Sequence, residues 1–282
     1  MQRGQRGVLR HGSEWSGILA GNPWGSTVTL HQAPPSAKVD ERWWALALLA
    51  AAAVGWWWSI HSAQRMSRPM GDGMRMGVAA MSFTAFLLGW VAMMGAMMLP
   101  AILPVVRLYA RAAQRGTVAP PAVFLAGYGL VWSAVGVPAY FAWRALDGQL
   151  EDASPTAGRI AGTVLIAAAV YQLSPLKSTC LRHCRSPLAF FMQHGTQLDR
   201  PLGAVRAGAH HGLYCLGCCW MLMAVLVAFG TMQLWWMAAL AGLILLEKAT
   251  PVGERAAVLA AVGFAVLGVL LLAHPSTISQ LV

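Results

Sequence analysis

Long apolar runs with few charges are the feature that most restricts what this chain can fold into. Seven such runs lie at residues 43–60, 81–103, 121–143, 159–174, 213–229, 232–246 and 256–273. A helix needs about 20 apolar residues to cross the hydrocarbon core of a bilayer, and unbroken runs differ from the alternating pattern of a transmembrane barrel. The sequence therefore predicts an all-α, polytopic membrane bundle of about seven transmembrane helices. Six is the alternative, because the fourth and sixth runs are short.

The composition favours a bilayer as the surroundings of this bundle. Of the 282 residues, 57% are hydrophobic and only 11% are charged, whereas a soluble domain carries about 25% charged residues. A net charge of +10 is typical of some nucleic-acid-binding proteins, but here the basic residues are spread over short loops instead of along one face. The sequence thus predicts contact with lipid and no nucleic-acid partner.

The distribution of Lys and Arg predicts how the bundle is oriented. If the chain crosses seven times, all of the 20 basic residues except Arg65, Arg68, Arg75, Arg144 and Arg159 lie on the side of the N-terminus. Basic loops stay in the cytoplasm. We therefore expect a membrane protein with a cytoplasmic N-terminus and an external C-terminus.

This orientation divides the chain into three parts. Residues 1–42 are rich in Gly, Pro and Ser and have no helical or strand periodicity, so we expect a disordered cytoplasmic tail. Residues 43–273 form the transmembrane bundle, which includes a cytoplasmic Cys/His loop at 175–212. Residues 274–282 are expected to be a short outer tail.

All five cysteines fall in one short part of the sequence, at Cys180, Cys184, Cys215, Cys218 and Cys219. On a helix the last three stand at i, i+3 and i+4 and share one face, and the first two do so if their segment is helical. Two such faces that meet can supply the ligands of a closed tetrahedral metal site. The sequence therefore predicts a cysteine metal site where the loop joins the start of the fifth span.

Four histidines lie in the same stretch, and three of them extend the set of candidate ligands: His183, His210 and His211. Thiolate and imidazole are ligands of soft and borderline metals. The cytoplasm keeps thiols reduced, which favours metal binding or transient redox chemistry over structural disulfides. Copper or another thiophilic metal is the expected ion, with zinc as the alternative. The expected role is delivery to a metalloenzyme or metallochaperone, or passage of the ion across the membrane.

Two other functions are compatible with the same cysteines. Cys215, Cys218 and Cys219 can serve as the redox thiols of a membrane thiol–disulfide protein. The cysteines can also pack as small apolar residues in a scaffold or assembly factor. The sequence contains no Gly-rich phosphate loop, metalloprotease motif or nucleophile elbow, so an enzyme is less favoured than a binding protein.

Four methionines of the second span, Met93, Met94, Met97 and Met98, lie on adjacent stripes of a helix. Thioethers select Cu(I) over zinc, so this stripe is a candidate for a second soft metal site within the bilayer. From the residues themselves packing is the preferred interpretation, because methionine fills gaps in cores and the small residues between the two pairs favour a close helix contact.

Another methionine run, Met66, Met70, Met74 and Met76, falls in the first outer loop. In an oxidising periplasm thioethers can bind Cu(I) without having to be reduced first. A chance run is the preferred interpretation of this segment, and a copper-binding loop is the alternative.

Few other polar residues occur near the predicted spans. Glu247 and Lys248 close the sixth span, and we expect them to form an interfacial ion pair. Gln172 and Gln233 are expected to be polar contacts between helices.

Five segments carry a resemblance to a known family. They read WVAMMGAMMLPAILP (90–104), GYGLVW (127–132), YQLSPLKSTCLRHCRSPLAFF (171–191), GAVRAGAHHGLYCLGCCWMLMAVL (203–226) and WWMAALAGLILLEK (235–248). Together they resemble a bacterial family of predicted metal-binding integral membrane proteins of unknown function, over about residues 76–273. The resemblance implies that the five cysteines lie in metal-binding motifs and that the methionine pairs belong to the family pattern. It does not specify the metal.

The predicted orientation can be tested with a fusion of alkaline phosphatase to the C-terminus. We expect this fusion to be active, because the enzyme forms its disulfides only outside the cytoplasm, and a fusion to the N-terminus to be inactive. An inactive C-terminal fusion would contradict the external C-terminus and, with it, the cytoplasmic side for the cysteine loop.

Overall fold

The computed structural model of the protein describes residues 41–66, 82–150, 155–186, 195–229 and 233–280. Within these ranges the chain forms the α-helices α1 (Glu41–Met66), α2 (Phe83–Gln114), α3 (Pro121–Leu150), α4 (Pro155–Gln172), α5 (Pro175–Arg185), α6 (Pro201–Ala228), α7 (Leu234–Ala249) and α8 (Gly253–Ala273). Short 3₁₀ helices, Gly195–Gln197 and Pro275–Gln280, precede α6 and follow α8. The described ranges contain no strand, and the prediction of an all-α bundle is confirmed.

Five of the described helices, α1, α2, α3, α6 and α8, are long and apolar enough to cross a membrane. Helices α4 and α5 meet the same criterion only together, with a bend of 65° between them, which is the geometry of a broken span or a re-entrant pair. Helix α7 has 16 residues, fewer than the about 20 needed for a straight crossing. The described helices thus give five or six candidate spans instead of seven, and the two short runs of the sequence account for the difference.

Helix α5 occupies the first part of the segment that the sequence indicated as a hydrophilic loop. Pro175 stands in its first turn, where the missing N–H of proline costs no hydrogen bond. The hydroxyl of Ser174 caps the helix and accepts a hydrogen bond of 3.2 Å from the backbone N–H of Lys177. Cys180 and Cys184 therefore share one helical face, as their spacing predicts.

Helix α6 begins at Pro201, well before residue 213, where the apolar run starts. The prediction that Cys215 stands at the start of a helix is therefore wrong. At 1.5 Å per residue, Cys215 lies about 21 Å along the axis from Pro201. The reason is that small residues of the first turns, including Ala204 and Gly208, are buried against the bundle, so this part is helical although it is less apolar than the rest.

Helices α3 and α6 approach each other closely through glycine. A Cβ atom on Gly127 of α3 would lie 2.0 Å from the carbonyl oxygen of Val205, and one on Gly208 of α6 would lie 2.0 Å from a carbonyl oxygen of α3. Small residues of this kind allow helix backbones to come together. The approach brings Tyr128 of α3 into contact with Cys215 of α6.

Helix α2 contains two prolines, Pro100 and Pro104, and remains helical through both. Proline has no backbone N–H to donate to the carbonyl four residues earlier. The carbonyl groups of Ala96 and Pro100 therefore lack the usual helical donor. Met98 lies in this part of α2.

Some predictions fall on residues outside the described part of the chain. Met66 is the last residue of α1, whereas Met70, Met74 and Met76 lie outside the described residues, so the outer methionine loop stays a prediction. Residues 1–40 of the predicted tail also lie outside them.

Replacing Gly127 with Ala tests the close contact between α3 and α6. The new methyl group meets a backbone carbonyl, which cannot rotate away, so we expect a loss of about 1–3 kcal/mol in the free energy of unfolding in detergent. Gly129→Ala on the same helix is the matched control, because a Cβ there meets no atom within 4 Å. The control should be neutral or stabilise the helix by up to about 1 kcal/mol. Equal effects of the two substitutions would contradict the close approach.

Candidate metal centre

Sulfur atoms from three helices meet beside the middle of α6. The Sγ atom of Cys184 on α5 lies 3.9 Å from the Sγ atom of Cys218 on α6. The Sγ atom of Cys215, one turn earlier on α6, lies 4.0 Å from the Sδ atom of Met98 on α2. Cys218 also lies 3.1 Å at Sγ from the carbonyl oxygen of Cys215, so the two pairs form one group, the sulfur cluster of Met98, Cys184, Cys215 and Cys218. Cys184 is half-buried, and the other three side chains are almost fully buried.

The separations within the sulfur cluster resemble those of metal ligands. Two sulfurs that each lie about 2.3 Å from one tetrahedral ion are about 3.8 Å apart. The distances of 3.9 Å and 4.0 Å are close to this value. Among the residues that the structure describes, however, no three His, Cys, Asp or Glu side chains are already gathered around one point. An ion bound by three of these sulfurs therefore requires side-chain rotation.

The thiols of Cys218 and Cys219 are held by the backbone of their own helix. Their Sγ atoms lie 3.1 Å and 2.9 Å from the carbonyl oxygen of Cys215, to which they donate hydrogen bonds. Donation to a carbonyl three or four residues earlier is a usual pattern for small polar side chains in helices. It keeps both thiols beside Cys215, on the shared face that the sequence predicts.

The sulfur of Cys215 is contacted by two polar groups from other helices. The ammonium of Lys248, at the end of α7, donates to it at 2.9 Å, and the hydroxyl of Tyr128 on α3 lies 3.0 Å away. The Nζ atom of Lys248 is also 3.9 Å from the Sδ atom of Met98. An ammonium and a hydroxyl around one sulfur complement a thiolate, the form in which cysteine binds metals.

Cys180 lies next to the sulfur cluster, on the side of Gly217. A Cβ atom on Gly217 would lie 2.6 Å from the Sγ atom of Cys180, so this glycine allows α5 to lie close to α6. The hydroxyl of Tyr171 on α4 donates a hydrogen bond to the carbonyl oxygen of Gly217. All five cysteines are free thiols in the structure.

Two of the predicted histidines pack on the same aromatic ring. The ring of His183 stacks on Tyr214, with 4.4 Å between centroids and 7° between planes. The ring of His210 meets Tyr214 edge-on at 4.8 Å. The Nδ1 atom of His183 lies 2.9 Å from the carbonyl oxygen of Thr179, which leaves Nε2 as the nitrogen available to a ligand. Tyr214 thus brings together one histidine of α5 and one of α6.

His211 lies on a different face of α6 from His210. It is buried, and its ring centroid is 6.1 Å from that of Phe124 and 6.2 Å from that of Tyr128. It therefore belongs to the contact between α3 and α6, one turn before Cys215.

The four predicted methionines of α2 are all buried. The structure brings Met98 to the cysteines, whereas Met93, Met94 and Met97 lie in the apolar core of the bundle. Their core positions agree with the packing interpretation, and a metal site along the whole stripe stays a prediction.

Glu247 and Lys248 face different neighbours, so the predicted interfacial pair between them is wrong. The Oε2 atom of Glu247 lies 2.7 Å from the Nζ atom of Lys177 on α5, and its Oε1 atom accepts a hydrogen bond of 2.8 Å from Gln172 on α4. Lys177 also donates to Gln172. The side chains of Lys177 and Glu247 are only 1% and 2% exposed. Consecutive residues of a helix point about 100° apart, which directs Lys248 to the sulfur cluster and Glu247 to α5. The prediction that Gln172 joins helices is confirmed.

Sequence reasoning missed Lys248 and Tyr128 as neighbours of the sulfur cluster. A charged residue at the end of an apolar run was a usable signal, because such residues are costly to bury and are often functional. Tyr128 gave no such signal, since nothing in the α3 sequence indicates which of its aromatic residues faces α6.

An all-α bundle of apolar helices with a buried sulfur cluster is a structure suited to a soft metal. A family model described as a copper chaperone, PpoB2, matches residues 87–271, a range that contains the whole sulfur cluster and Lys248. The chain belongs to this copper chaperone family. Comparison with curated proteins and with solved structures gives no match.

The buried ion pair predicts a characteristic pattern of stability. Lys177→Met leaves Glu247 buried without its cation, and we expect it to lower the free energy of unfolding in detergent by about 3–5 kcal/mol. The double variant with Glu247→Gln should recover most of this loss, because no unpaired charge remains. Arg182→Met, on the exposed side of the same helix, is the control and should change stability by less than about 0.5 kcal/mol. If Lys177→Met is as stable as this control, the ion pair of Lys177 with Glu247 is contradicted.

Proposed function

We propose that this protein is a membrane-embedded copper chaperone that binds Cu(I) at the sulfur cluster and passes it to a copper-dependent protein. The observation that carries this proposal is the meeting of Cys184, Cys215, Cys218 and Met98, from three helices, with sulfur separations of 3.9 Å and 4.0 Å. Membership of the copper chaperone family supports copper as the cargo.

The chemistry of the four side chains favours Cu(I) over zinc. Thioether and thiolate sulfur are the ligands that select Cu(I), whereas structural zinc sites are closed tetrahedra of Cys and His. Met98 therefore supplies the ligand that discriminates between the two ions. The burial of Met98, Cys215 and Cys218 excludes water, which a soft monovalent ion does not need as a ligand.

The neighbouring thiols and imidazoles provide a route for the ion between the surface and the sulfur cluster. His183 and His210 are half-buried around Tyr214, and Cys184 follows His183 in the chain. We assign these two histidines to the first contact with incoming copper, and Cys184 to its transfer inward to Cys218. Cys180 and Cys219 flank this route and are secondary ligands.

The proposed location is the bacterial inner membrane with the N-terminus in the cytoplasm. Five or six helices are long and apolar enough to span a bilayer, and the distribution of Lys and Arg supports this orientation. The partner that fits a chaperone of this kind is a copper protein, or a carrier that donates Cu(I) through its own thiols.

One observation favours a second function, thiol–disulfide exchange. Cys184 and Cys218 are 3.9 Å apart at sulfur, and a small movement of α5 would allow them to form a disulfide. Such a protein would cycle between a reduced and an oxidised pair, whereas a chaperone uses the reduced thiols throughout. Alkylation of free thiols in growing cells distinguishes the two, because only the redox protein has an oxidised population of this pair.

Copper affinity of purified variants tests the proposed site. In detergent under anaerobic, reducing conditions, the wild-type protein should compete with a chromophoric Cu(I) chelator and bind copper stoichiometrically. Cys184→Ser, Cys215→Ser and Cys218→Ser should each weaken binding by at least about tenfold, which is about 1.4 kcal/mol. Met98→Leu should weaken it by a smaller factor, because a thioether binds less strongly than a thiolate.

Met97→Leu is the matched control for Met98→Leu, since both side chains are fully buried and adjacent on α2. The control should leave copper affinity unchanged. Absence of stoichiometric Cu(I) in the wild-type protein would disprove the chaperone function. Equal effects of the two methionine variants on copper affinity would show that Met98 is not a ligand.

A further inference from the structure

We propose that Lys248 is an internal cation that occupies the metal position when copper is absent and is displaced when Cu(I) binds. This inference rests on the proposed function and concerns how the same site releases its ion. Lys248 thus sets the copper affinity without being a ligand.

The position of the ammonium group is the first argument. Its Nζ atom lies 2.9 Å from the Sγ atom of Cys215 and 3.9 Å from the Sδ atom of Met98, while these two sulfurs are 4.0 Å apart. The ammonium therefore lies within reach of both sulfurs. A copper ion that takes its place beside these sulfurs requires the ammonium to move away.

The charge of Lys248 is the second argument. It interacts electrostatically with Cys215, Cys218, Cys219 and Cys184, and the Sγ atom of Cys215 is in direct contact with it at 2.9 Å. Glu247, its neighbour in the chain, is turned to α5 and is paired there with Lys177. The carboxylate therefore does not compete with the thiols for Lys248. Exchange of the ammonium for Cu(I) replaces one positive charge by another, and no electron is transferred.

The place of Lys248 in the fold allows it to leave. It stands next to the last residue of α7 and is half-buried, in contrast to the fully buried Lys177. A flexible four-carbon stem at a helix end can carry its charged group outward to water or lipid headgroups. The ammonium can therefore leave the sulfur cluster while the backbone of α7 stays in place.

The contact between Lys248 and the sulfurs can change the affinity for Cu(I) in one direction only. An interaction that exists only in the metal-free protein stabilises that state, and copper must overcome it in order to bind. Lys248 therefore weakens Cu(I) binding and returns to Cys215 when the ion leaves, which favours release to a partner. A lysine that stayed beside the copper–thiolate group would have the opposite effect, because it would stabilise the loaded state.

Substitution of Lys248 distinguishes these two roles. Lys248→Gln removes the charge and adds no sulfur, and we expect it to bind Cu(I) at least about tenfold more tightly and to release it more slowly to the chelator. Lys248→Arg keeps the charge and should lie nearer to the wild-type affinity. Affinity that is unchanged or weaker in Lys248→Gln would overturn the proposal. If the wild-type protein binds no copper, the chaperone function itself is disproved.

Chemical labelling of the wild-type protein provides a test that does not depend on the folding of a variant. Lysines are labelled with acetic anhydride before and after Cu(I) loading, and each site is quantified by mass spectrometry. Labelling of Lys248 should rise on loading, because its ammonium is released from the sulfurs. Labelling of Lys177 should stay constant and serves as the internal control. Equal labelling of Lys248 in both states would overturn the displacement.

Discussion

The buried ion pair of Lys177 and Glu247 determines where helix α5 lies. A charge in an apolar bundle is costly unless it is paired and hydrogen-bonded, and Gln172 completes the set of partners. The three residues join α4, α5 and α7. Because they must meet, they fix the position of α5, whose axis is bent by 65° from that of α4. Because α5 carries Cys184, the same requirement positions this cysteine against the other three sulfurs of the sulfur cluster.

The ammonium groups of Lys177 and Lys248 have different roles in the structure. Lys177 has carboxylate and amide partners and is fully enclosed, so its role is to hold helices together. Lys248 faces thiols and a thioether and is only half-buried. Glu247 is the counter-charge of Lys177 and not of Lys248. The two ammonium groups therefore lie in the same bundle with separate partners, which are carboxylate and amide for Lys177 and sulfur for Lys248.

Much of the fold follows from the sequence, because apolar runs and i, i+4 spacing report on local structure. The helical nature of the bundle and the shared faces of Cys180 with Cys184 and of Cys215 with Cys218 and Cys219 could be predicted in this way. The neighbours of Lys248 could not be predicted, because the side chains that it meets depend on how α2, α6 and α7 pack together. The start of α6 at Pro201 was missed for a related reason: its first turns are stabilised by close contact with α3, which has no signature in their own hydropathy.

The side chains of the sulfur cluster differ in how firmly the backbone of their helix is held in place. Cys215 and Cys218 lie on α6, which is packed closely against α3 through Gly127 and Gly208. Met98 lies on α2, just before two prolines that remove two rungs of the hydrogen-bond ladder. If the sulfur cluster binds an ion, as we propose, two of its four sulfurs stand on a closely packed helix, whereas Met98 stands on a helix whose hydrogen bonding is interrupted. The thioether is then the ligand that can move away first when the ion is passed on.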